Sequence, residues 1–160
     1  MIRLIEPTEV NIDVLGDEAS CLVIVELAER DGGDPFSSII VRGVTDSGGG
    51  FQFMELGFDV QLIAPDGEVF STQHPQIVRQ YLSPEIRREI LPLVARCYAA
   101  ILGKFRPGFV YRACAYADLP DAAMQKHEFL TKAVIDCGYY MYREETNEDG
   151  RTYWLCGADD

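Results

Sequence analysis

Positive charge is scarce in this chain. Its 160 residues include 14 lysines and arginines against 26 aspartates and glutamates, and the formal net charge is −12. An acidic surface repels phosphate backbones, so this balance argues against direct binding of nucleic acid. No window approaches the ~20 consecutive apolar residues of a membrane helix, and the first residues lack the apolar stretch and cleavage site of a signal peptide. We therefore expect a soluble cytoplasmic protein that does not bind membranes.

Cysteine pairs of the kind found in zinc sites and redox motifs are missing as well. None of the cysteines has C-x-x-C spacing, and each lies in an apolar run. They are Cys21, Cys97, Cys114, Cys137 and Cys156. This pattern favours buried, reduced thiols over a catalytic or redox-active cysteine. The two histidines, His74 and His127, lie far apart in the sequence, so we expect no metal site.

Apolar residues, in contrast, make up 48% of the chain, which is enough for a folded core. The length predicts one domain over residues 1–160, with its core in 20–157. Residues 76–107 stand out because they carry six basic and two acidic side chains. This segment forms either a local anion-binding patch or a helix face that balances neighbouring acidic loops.

The first half of the core has the pattern of strands. Residues 20–28 and 36–42 are rich in β-branched and apolar side chains, which is typical of buried strands. Residues 54–62 alternate apolar with polar side chains, so they predict a half-buried strand. An Ala-Pro-Asp-Gly turn then leads into a short strand at 68–70. The glycines at 48–50 precede a strand rather than a helix and therefore predict a hairpin loop, not a phosphate-binding loop.

The second half alternates helices and strands. It contributes, in order, a helix from Ser83 to Gly103, a strand over 109–116, a helix from Asp118 to Gly138, and strands over 139–143 and 152–156. The first helix begins with a serine that can cap it, a proline that suits the first helical position and a glutamate whose charge is favourable at this end. The Asp-Gly pair between the last two strands favours a hairpin.

This order of elements, β-β-β-α-β-α-β-β, predicts the α+β class, with a mixed, mostly antiparallel sheet and two main helices. Residues 1–19 form an N-terminal extension or an edge strand. The order resembles the core of the GNAT acyltransferase fold, in which a three-strand meander leads into a helix, a strand, a second helix and a final hairpin. The resemblance covers residues 20–157 and implies an N-acyltransferase that uses acetyl-CoA.

The motifs of that family differ from the residues found here. GNAT enzymes hold the pyrophosphate of acetyl-CoA on a glycine-rich turn before the first helix, but Gly67 is the only glycine between Leu62 and Ile90. The family also tends to place a tyrosine general acid four residues before a Gly-Phe pair. Gly138 stands at the glycine of that pair, and Val134 occupies the tyrosine position. Acetyl-CoA is therefore expected only under the acyltransferase interpretation, and otherwise no cofactor.

Two residues are candidates for proton transfer. Glu55 lies on the polar face of the strand at 54–62; in an acyltransferase it would relay a proton from an amine through water, and otherwise it belongs to a solvated face. His127 can titrate near neutral pH, but it falls among the apolar positions of its helix. It is therefore either a general base or a hydrogen-bonded core histidine.

Aromatic residues are concentrated in the C-terminal hairpin. Tyr140, Tyr142, Tyr153 and Trp154 alternate in position, so some of them must face away from the core. Exposed tyrosine and tryptophan are enriched at binding surfaces. We take these four as candidates for contact with a partner; the alternative is cross-strand packing within the domain or in a homodimer.

Two functions remain open. The first is an acidic domain that acts by binding a protein, in one form an inhibitor whose surface imitates nucleic acid and occupies a basic site on its partner. The second is an N-acyltransferase of the GNAT type that uses acetyl-CoA, in one form a degenerate relative that keeps the fold without the motifs. The sequence favours the first because no group of residues matches a known catalytic arrangement.

Overall fold

The computed structural model describes residues 1–7, 10–114, 117 and 120–159. The strands are β1 (Ile2–Leu4), β2 (Leu15–Gly16), β3 (Ser20–Arg30), β4 (Pro35–Gly48), β5 (Phe51–Ile63), β6 (Val69–Thr72), β7 (Phe109–Ala113), β8 (Tyr139–Thr146) and β9 (Thr152–Ala158). The helices are α1 (Pro75–Tyr81), α2 (Pro84–Arg87), α3 (Ile90–Phe105) and α4 (Asp121–Asp136). No helix in these ranges is long and apolar enough to cross a lipid bilayer.

The strands of the described residues form one sheet. Their order is β1-β3-β4-β5-β7-β9-β8, with β2 beside β3 and β6 beside β5. Neighbouring strands run antiparallel except β5 and β7, which are parallel. The parallel pair follows from the chain order, because a helical crossover separates β5 from β7 whereas tight turns join the hairpins. The fold is therefore α+β with a mixed, mostly antiparallel sheet, as the sequence predicts.

One face of the sheet is covered by helices. The alternating residues of β5 predicted to be buried, among them Met54, Leu56, Val60 and Leu62, lie in a single core cluster with side chains of all four helices. We call this side the helix-covered face. Burying one apolar set per strand explains why the period of two is so clear in β5.

The opposite side, which we call the open face, carries the other half of the side chains. Ile24 and Val44 on it are about half exposed, although both are large and apolar. Two rows of aromatic rings cross this face. Phe53, Tyr111 and Tyr153 form the first row, and Phe51, Phe109 and Tyr142 the second.

Several predicted boundaries are wrong. The strand predicted over 36–42 continues to Gly48, so the expected glycine loop is reduced to a turn at Gly49 and Gly50, both with positive φ. The single helix predicted from Ser83 is two helices, because Ser83 caps the short α2 and α3 begins only at Ile90.

Other differences concern the segments between the main elements. Helix α1 was not predicted, and His74, expected in a loop, caps its first turn by accepting from the backbone N–H of Gln76. Among the described residues of 1–19, the structure contains the short strands β1 and β2, both paired with β3. The predicted cap at Asp118 and the end of the strand predicted over 109–116 lie outside the described residues.

Candidate functional site

A cleft opens where strands β5 and β7 separate. The two strands pair only at Met54 with Val110 and at Glu55 with Tyr111. Beyond these pairs β5 continues beside β4, and β6 joins its other edge only from Val60 onward. No described strand pairs with residues 56–59 on that edge. The gap becomes a cavity of about 300 Å³, which we call the β5–β7 cleft.

The walls of the cleft come from five parts of the fold: β5, the segment around α1, α3, β7 with the residue after it, and α4 with the β8–β9 turn. Its lining is Glu55, Leu56, Gly57, Phe58, Gln73, Pro75, Tyr98, Arg112, Ala113, Cys114, Ala123, Lys126, His127 and Arg151. The size and the mixture of apolar walls with a few polar groups are typical of small-molecule sites.

Arg112 is the central charged group of this cleft. Its place on β7, two residues after Val110, turns it toward the helix-covered face, and it is only 5% exposed. Its Nη1 donates to the carbonyl oxygen of His127 at 3.2 Å and to Oγ1 of Thr131 at 2.9 Å. Its guanidinium also lies against the rings of Tyr98 and Trp154. Its Nε–H is buried and finds no acceptor among the described residues.

His127 lies beside this guanidinium. The histidine is 7% exposed, its ring stacks on Trp154 with centroids 5.0 Å apart, and its Nδ1 is 3.2 Å from Nη2 of Arg112. Burial, reinforced by the charges of Arg112 and Lys126, lowers the pKa of His127 to about 3. The ring is therefore neutral at pH 7, and because arginine can only donate, Nδ1 accepts the hydrogen bond. The structure places this candidate base in the core, where its Nδ1 lone pair is already used.

Lys126 and Cys114 face the cleft near Arg112. Burial, with a smaller contribution from the Arg112 charge, lowers the pKa of Lys126. Its Nζ lies 5.7 Å from the centre of the Phe58 ring. Burial also raises the pKa of the Cys114 thiol, and this outweighs the nearby positive charges. The thiol is therefore protonated near neutral pH and poorly suited to nucleophilic attack.

Glu55, the other candidate for proton transfer, lies at the mouth of the cleft. It is exposed, and its register partner on β7 is Tyr111 on the open face. Burial, and secondarily the Glu55 charge, raises the pKa of Tyr111. Both candidates line the same cleft, but they come from opposite faces of the sheet.

The aromatic residues proposed for partner contact separate into two groups. Tyr140 and Tyr142 are 45% and 53% exposed on the edge strand β8. Tyr153 belongs to the open face, and its hydroxyl donates to Glu145, a bond that raises the pKa of Tyr153.

Trp154 does not lie on the surface, and its assignment to a partner surface is wrong. It is 1% exposed, because its position on β9 turns it toward α4. There it stacks on His127, and its Nε1–H donates to Glu144 at 2.8 Å.

The start of α3 does not provide the diphosphate cradle that the sequence resemblance implies. The segment between β5 and α3 folds into β6, α1 and α2 rather than into a glycine-rich loop. Glu89 occupies the N-cap, where its side chain makes no capping hydrogen bond and places a negative charge just before the first turn. Pro92, the third helical residue, has no N–H to offer. The residues at this helix end therefore do not fit a diphosphate.

A second cavity of about 160 Å³ adjoins the cleft and shares Phe58, Gln73, Pro75 and Lys126 with it. Arg79 and Arg87 contribute two further positive charges to its lining.

Within the described ranges, no three side chains of His, Cys, Asp or Glu come together to hold a metal ion.

Sequence reasoning missed most of the charged groups in the cleft. The signal for Arg112 was present, because a lone arginine at an alternate position of an apolar strand falls on the buried side. The signal for Lys126 was its place one residue before His127 on the predicted helix. Nothing local indicated Arg151, which reaches the cleft from the β8–β9 turn.

Comparison with known proteins found matches among solved structures alone. No family model matches the chain, and no curated protein matches it. Solved structures that match include a mutant of the spermidine N-acetyltransferase SpeG from Vibrio cholerae and a SpeG chimera from Vibrio cholerae and hSSAT. Their identities to this chain are 11% and 12%, and the TM-scores are 0.39 and 0.40.

The alignments cover 89% of this chain and 66% and 68% of the two matched chains. This chain thus spans about two thirds of their length. A similarity at these values says nothing about the ligand or the activity of this chain.

Proposed function

We propose that this chain is a ligand-binding domain that takes a small organic molecule in the β5–β7 cleft. The observation that carries the proposal is the separation of the two parallel strands after two residue pairs, which opens a cavity of about 300 Å³ in the middle of the sheet. Sheets normally keep neighbouring strands paired, because unpaired backbone groups lose their hydrogen bonds. A ligand in the gap would take the place of the missing strand.

The walls supply both kinds of contact that a small molecule needs. The edge of β5 at residues 56–59 presents backbone groups that an extended ligand chain can pair with. Leu56, Phe58 and Tyr98 provide apolar surface, and Arg112 and Lys126 provide donors. The arrangement supports binding better than acyl transfer, because the Nδ1 of His127 is occupied and the start of α3 does not fit a diphosphate.

A plugged variant tests this proposal directly. A fragment library is screened by NMR against the wild-type protein, and each hit is repeated with Ala123→Phe, which introduces a ring into the cleft. Ala122→Phe is the matched control, since Ala122 is exposed on the same helix and does not line the cavity. We expect hits that are lost with Ala123→Phe and kept with Ala122→Phe. Fragments that bind all three proteins alike would refute the proposal.

Acetyl-CoA is included in the same screen, because the N-acyltransferase interpretation requires it. We expect no binding at millimolar concentration. Micromolar binding that Ala123→Phe abolishes would instead favour an acyltransferase whose cofactor site is built differently from that of the GNAT family.

The open face favours a second candidate function, the binding of a protein partner. One of its aromatic rows ends at Tyr142, next to the exposed Tyr140, and the other ends at Tyr153. Its carboxylates include Glu55 and Glu145. Exposed aromatic surface with acidic groups around it suits an apolar partner with a basic rim. A homodimer through β8 is the form of this proposal that needs no other protein.

Salt dependence and one substitution test this second function. A synthetic amphipathic peptide of leucine and lysine serves as the basic probe, and sedimentation of the chain alone reports a dimer. We expect the peptide to bind more weakly as salt rises and to lose affinity with Tyr142→Ser. Tyr81→Ser is the control, because Tyr81 is similarly exposed on α1. Affinity that does not change with salt would contradict an acidic docking surface.

A further inference from the structure

We infer that the molecule bound in the β5–β7 cleft is an organic carboxylate, with its acidic group held by Arg112 and Lys126 and its apolar part against Phe58 and Tyr98. This inference rests on the proposed function, since it names the chemical class of the ligand for the same cleft. The structure supports it through an unpaired buried charge, the sign of the surrounding charges and the apolar remainder of the lining.

The buried charge belongs to Arg112. A guanidinium remains protonated at any ordinary pH, and a buried charge is costly unless an opposite charge accompanies it. No carboxylate of the described residues lies within ion-pair distance of Arg112. Its three hydrogen bonds go to neutral acceptors on His127 and Thr131, which satisfy N–H groups without balancing the charge.

Donors remain available in the same place. The Nε–H of Arg112 is buried without an acceptor, and the only other buried side-chain atom in this state among the described residues is Nε of Arg87. Arg87 lines the adjoining cavity. The two side chains with an unsatisfied donor thus line adjoining cavities, and guanidinium groups are of the type that pairs with the planar oxygens of a carboxylate.

The sign of the local field is opposite to that of the whole protein. The net charge is −12, yet the described lining of the cleft contains Arg112, Lys126 and Arg151 against the single carboxylate of Glu55 at its mouth. Asp149 pairs with Arg151, so the positive charges without an ion-pair partner among the described residues are those of Arg112 and Lys126. Lys126 is half-buried, and its Nζ lies over the Phe58 ring without an ion-pair partner among the described residues. Such a cleft concentrates anions.

The rest of the lining favours a carboxylate with an apolar body over an inorganic anion. Leu56, Phe58, Pro75, Tyr98 and Ala123 surround the charged groups. A free inorganic phosphate would leave these surfaces in contact with water, whereas an aryl or alkyl acid would cover them.

The experiment compares matched pairs of probes at pH 7. Each of several aryl and alkyl carboxylates, 4-phenylbutyrate among them, is titrated beside its uncharged primary amide by NMR and calorimetry. Inorganic phosphate and phenyl phosphate are titrated in parallel. We expect the carboxylates to bind at least about tenfold more tightly than their amides, the size of effect expected for hydrogen bonds to a charged group.

Two variants identify the cation responsible. Lys126→Gln and Arg112→Met should each reduce the carboxylate preference, with the larger loss for Arg112→Met. Lys132→Gln should leave it unchanged, because Lys132 lies on the same helix but is exposed and pairs with Asp136. If Arg112→Met does not fold, the comparison of carboxylate with amide and the Lys126→Gln variant still decide the question.

The outcomes separate this inference from the proposed function. Amides and carboxylates that bind the cleft equally well would overturn the carboxylate and leave the ligand-binding function intact. Phenyl phosphate that binds more tightly than every carboxylate would also overturn it. If no probe binds the cleft at all, the proposed function itself fails.

Discussion

The protein should lose less stability between pH 7 and pH 5 when His127 is replaced by asparagine. In the folded state the pKa of His127 is about 3, because the ring is buried beside Arg112 and Lys126. In the unfolded chain it returns to about 6.5. A lowered pKa of this kind costs nothing above the unfolded value, where the ring is neutral in both states, and it destabilises the fold as the pH falls below that value.

The size of the effect follows from the two pKa values. At pH 5 the unfolded chain binds a proton on His127 and the folded protein does not. The distance of about 1.5 units from 6.5 to 5, at about 1.4 kcal/mol per unit, corresponds to about 2 kcal/mol. Asparagine does not titrate, and its Oδ1 can accept the hydrogen bond that Nδ1 of His127 receives from Nη2 of Arg112.

Urea unfolding measured by tryptophan fluorescence is a suitable assay, because Trp154 is the only tryptophan and lies in the core beside His127. The free energy of unfolding is determined at pH 7 and pH 5 for both proteins. Effects of the many carboxylates are shared by the two proteins and cancel in the difference of differences. We expect the wild type to lose about 2 kcal/mol more than His127→Asn. Equal losses would refute the buried, neutral histidine.

Other substitutions and a labelling experiment test the fold around the site. Gly138→Ala should lower the free energy of unfolding by at least about 1 kcal/mol, because Gly138 has a φ of +92° and an added Cβ would lie 2.8 Å from Nη2 of Arg106. Gly103→Ala should raise it by a few tenths to about 1 kcal/mol in the same urea assay, because Gly103 lies inside a helix and an added Cβ meets nothing within 4 Å. Glu144→Ala should cost about 1–3 kcal/mol by leaving the indole N–H of Trp154 without its acceptor, while Glu144→Gln should cost less; equal losses would mean that this hydrogen bond does not matter. Burial raises the pKa of all five thiols, so a disulfide reagent at pH 8 should react slowly with the thiols of the native protein and rapidly with all five in urea. Rapid labelling of several thiols in the native protein would contradict their burial.

The cleft shows how far local patterns reach. The alternation in β5 predicted which side of residues 54–62 is buried, and the structure confirms it at Met54, Leu56, Val60 and Leu62. The apolar positions around His127 likewise predicted a buried helix face. Both patterns depend only on backbone geometry that repeats every two residues in a strand or every 3.6 in a helix.

The break between α2 and α3 shows where local patterns mislead. The apolar spacing continues from Ile86 to Ile90 across the break, so the sequence predicted one helix from Ser83. Pro92 sits near the start of α3, where a missing N–H is tolerated, and in a continuous helix it would lack its bond to residue 88. The proline was therefore the available signal for the second helix start.

Trp154 illustrates a different kind of error. A strand in a hairpin has two faces, and the sequence does not say which of them a helix will cover. Tyr153 and Trp154 are neighbours and must face opposite ways, so the choice was decided by the packing of α4 against β8 and β9.

The sequence by itself determined the class of fold, the order of the main strands and helices, and the apolar sides that must be buried, because side-chain periodicity and turn residues act over a few positions. Only the tertiary structure decided that β5 and β7 separate after two residue pairs and that Arg112 and Lys126 line the same gap. Those two residues lie on different elements, and their proximity depends on how α4 docks against the sheet. In the sequence Arg112 is an ordinary charged residue. It becomes a candidate binding group because packing buries its guanidinium away from water without placing a carboxylate of the described residues beside it.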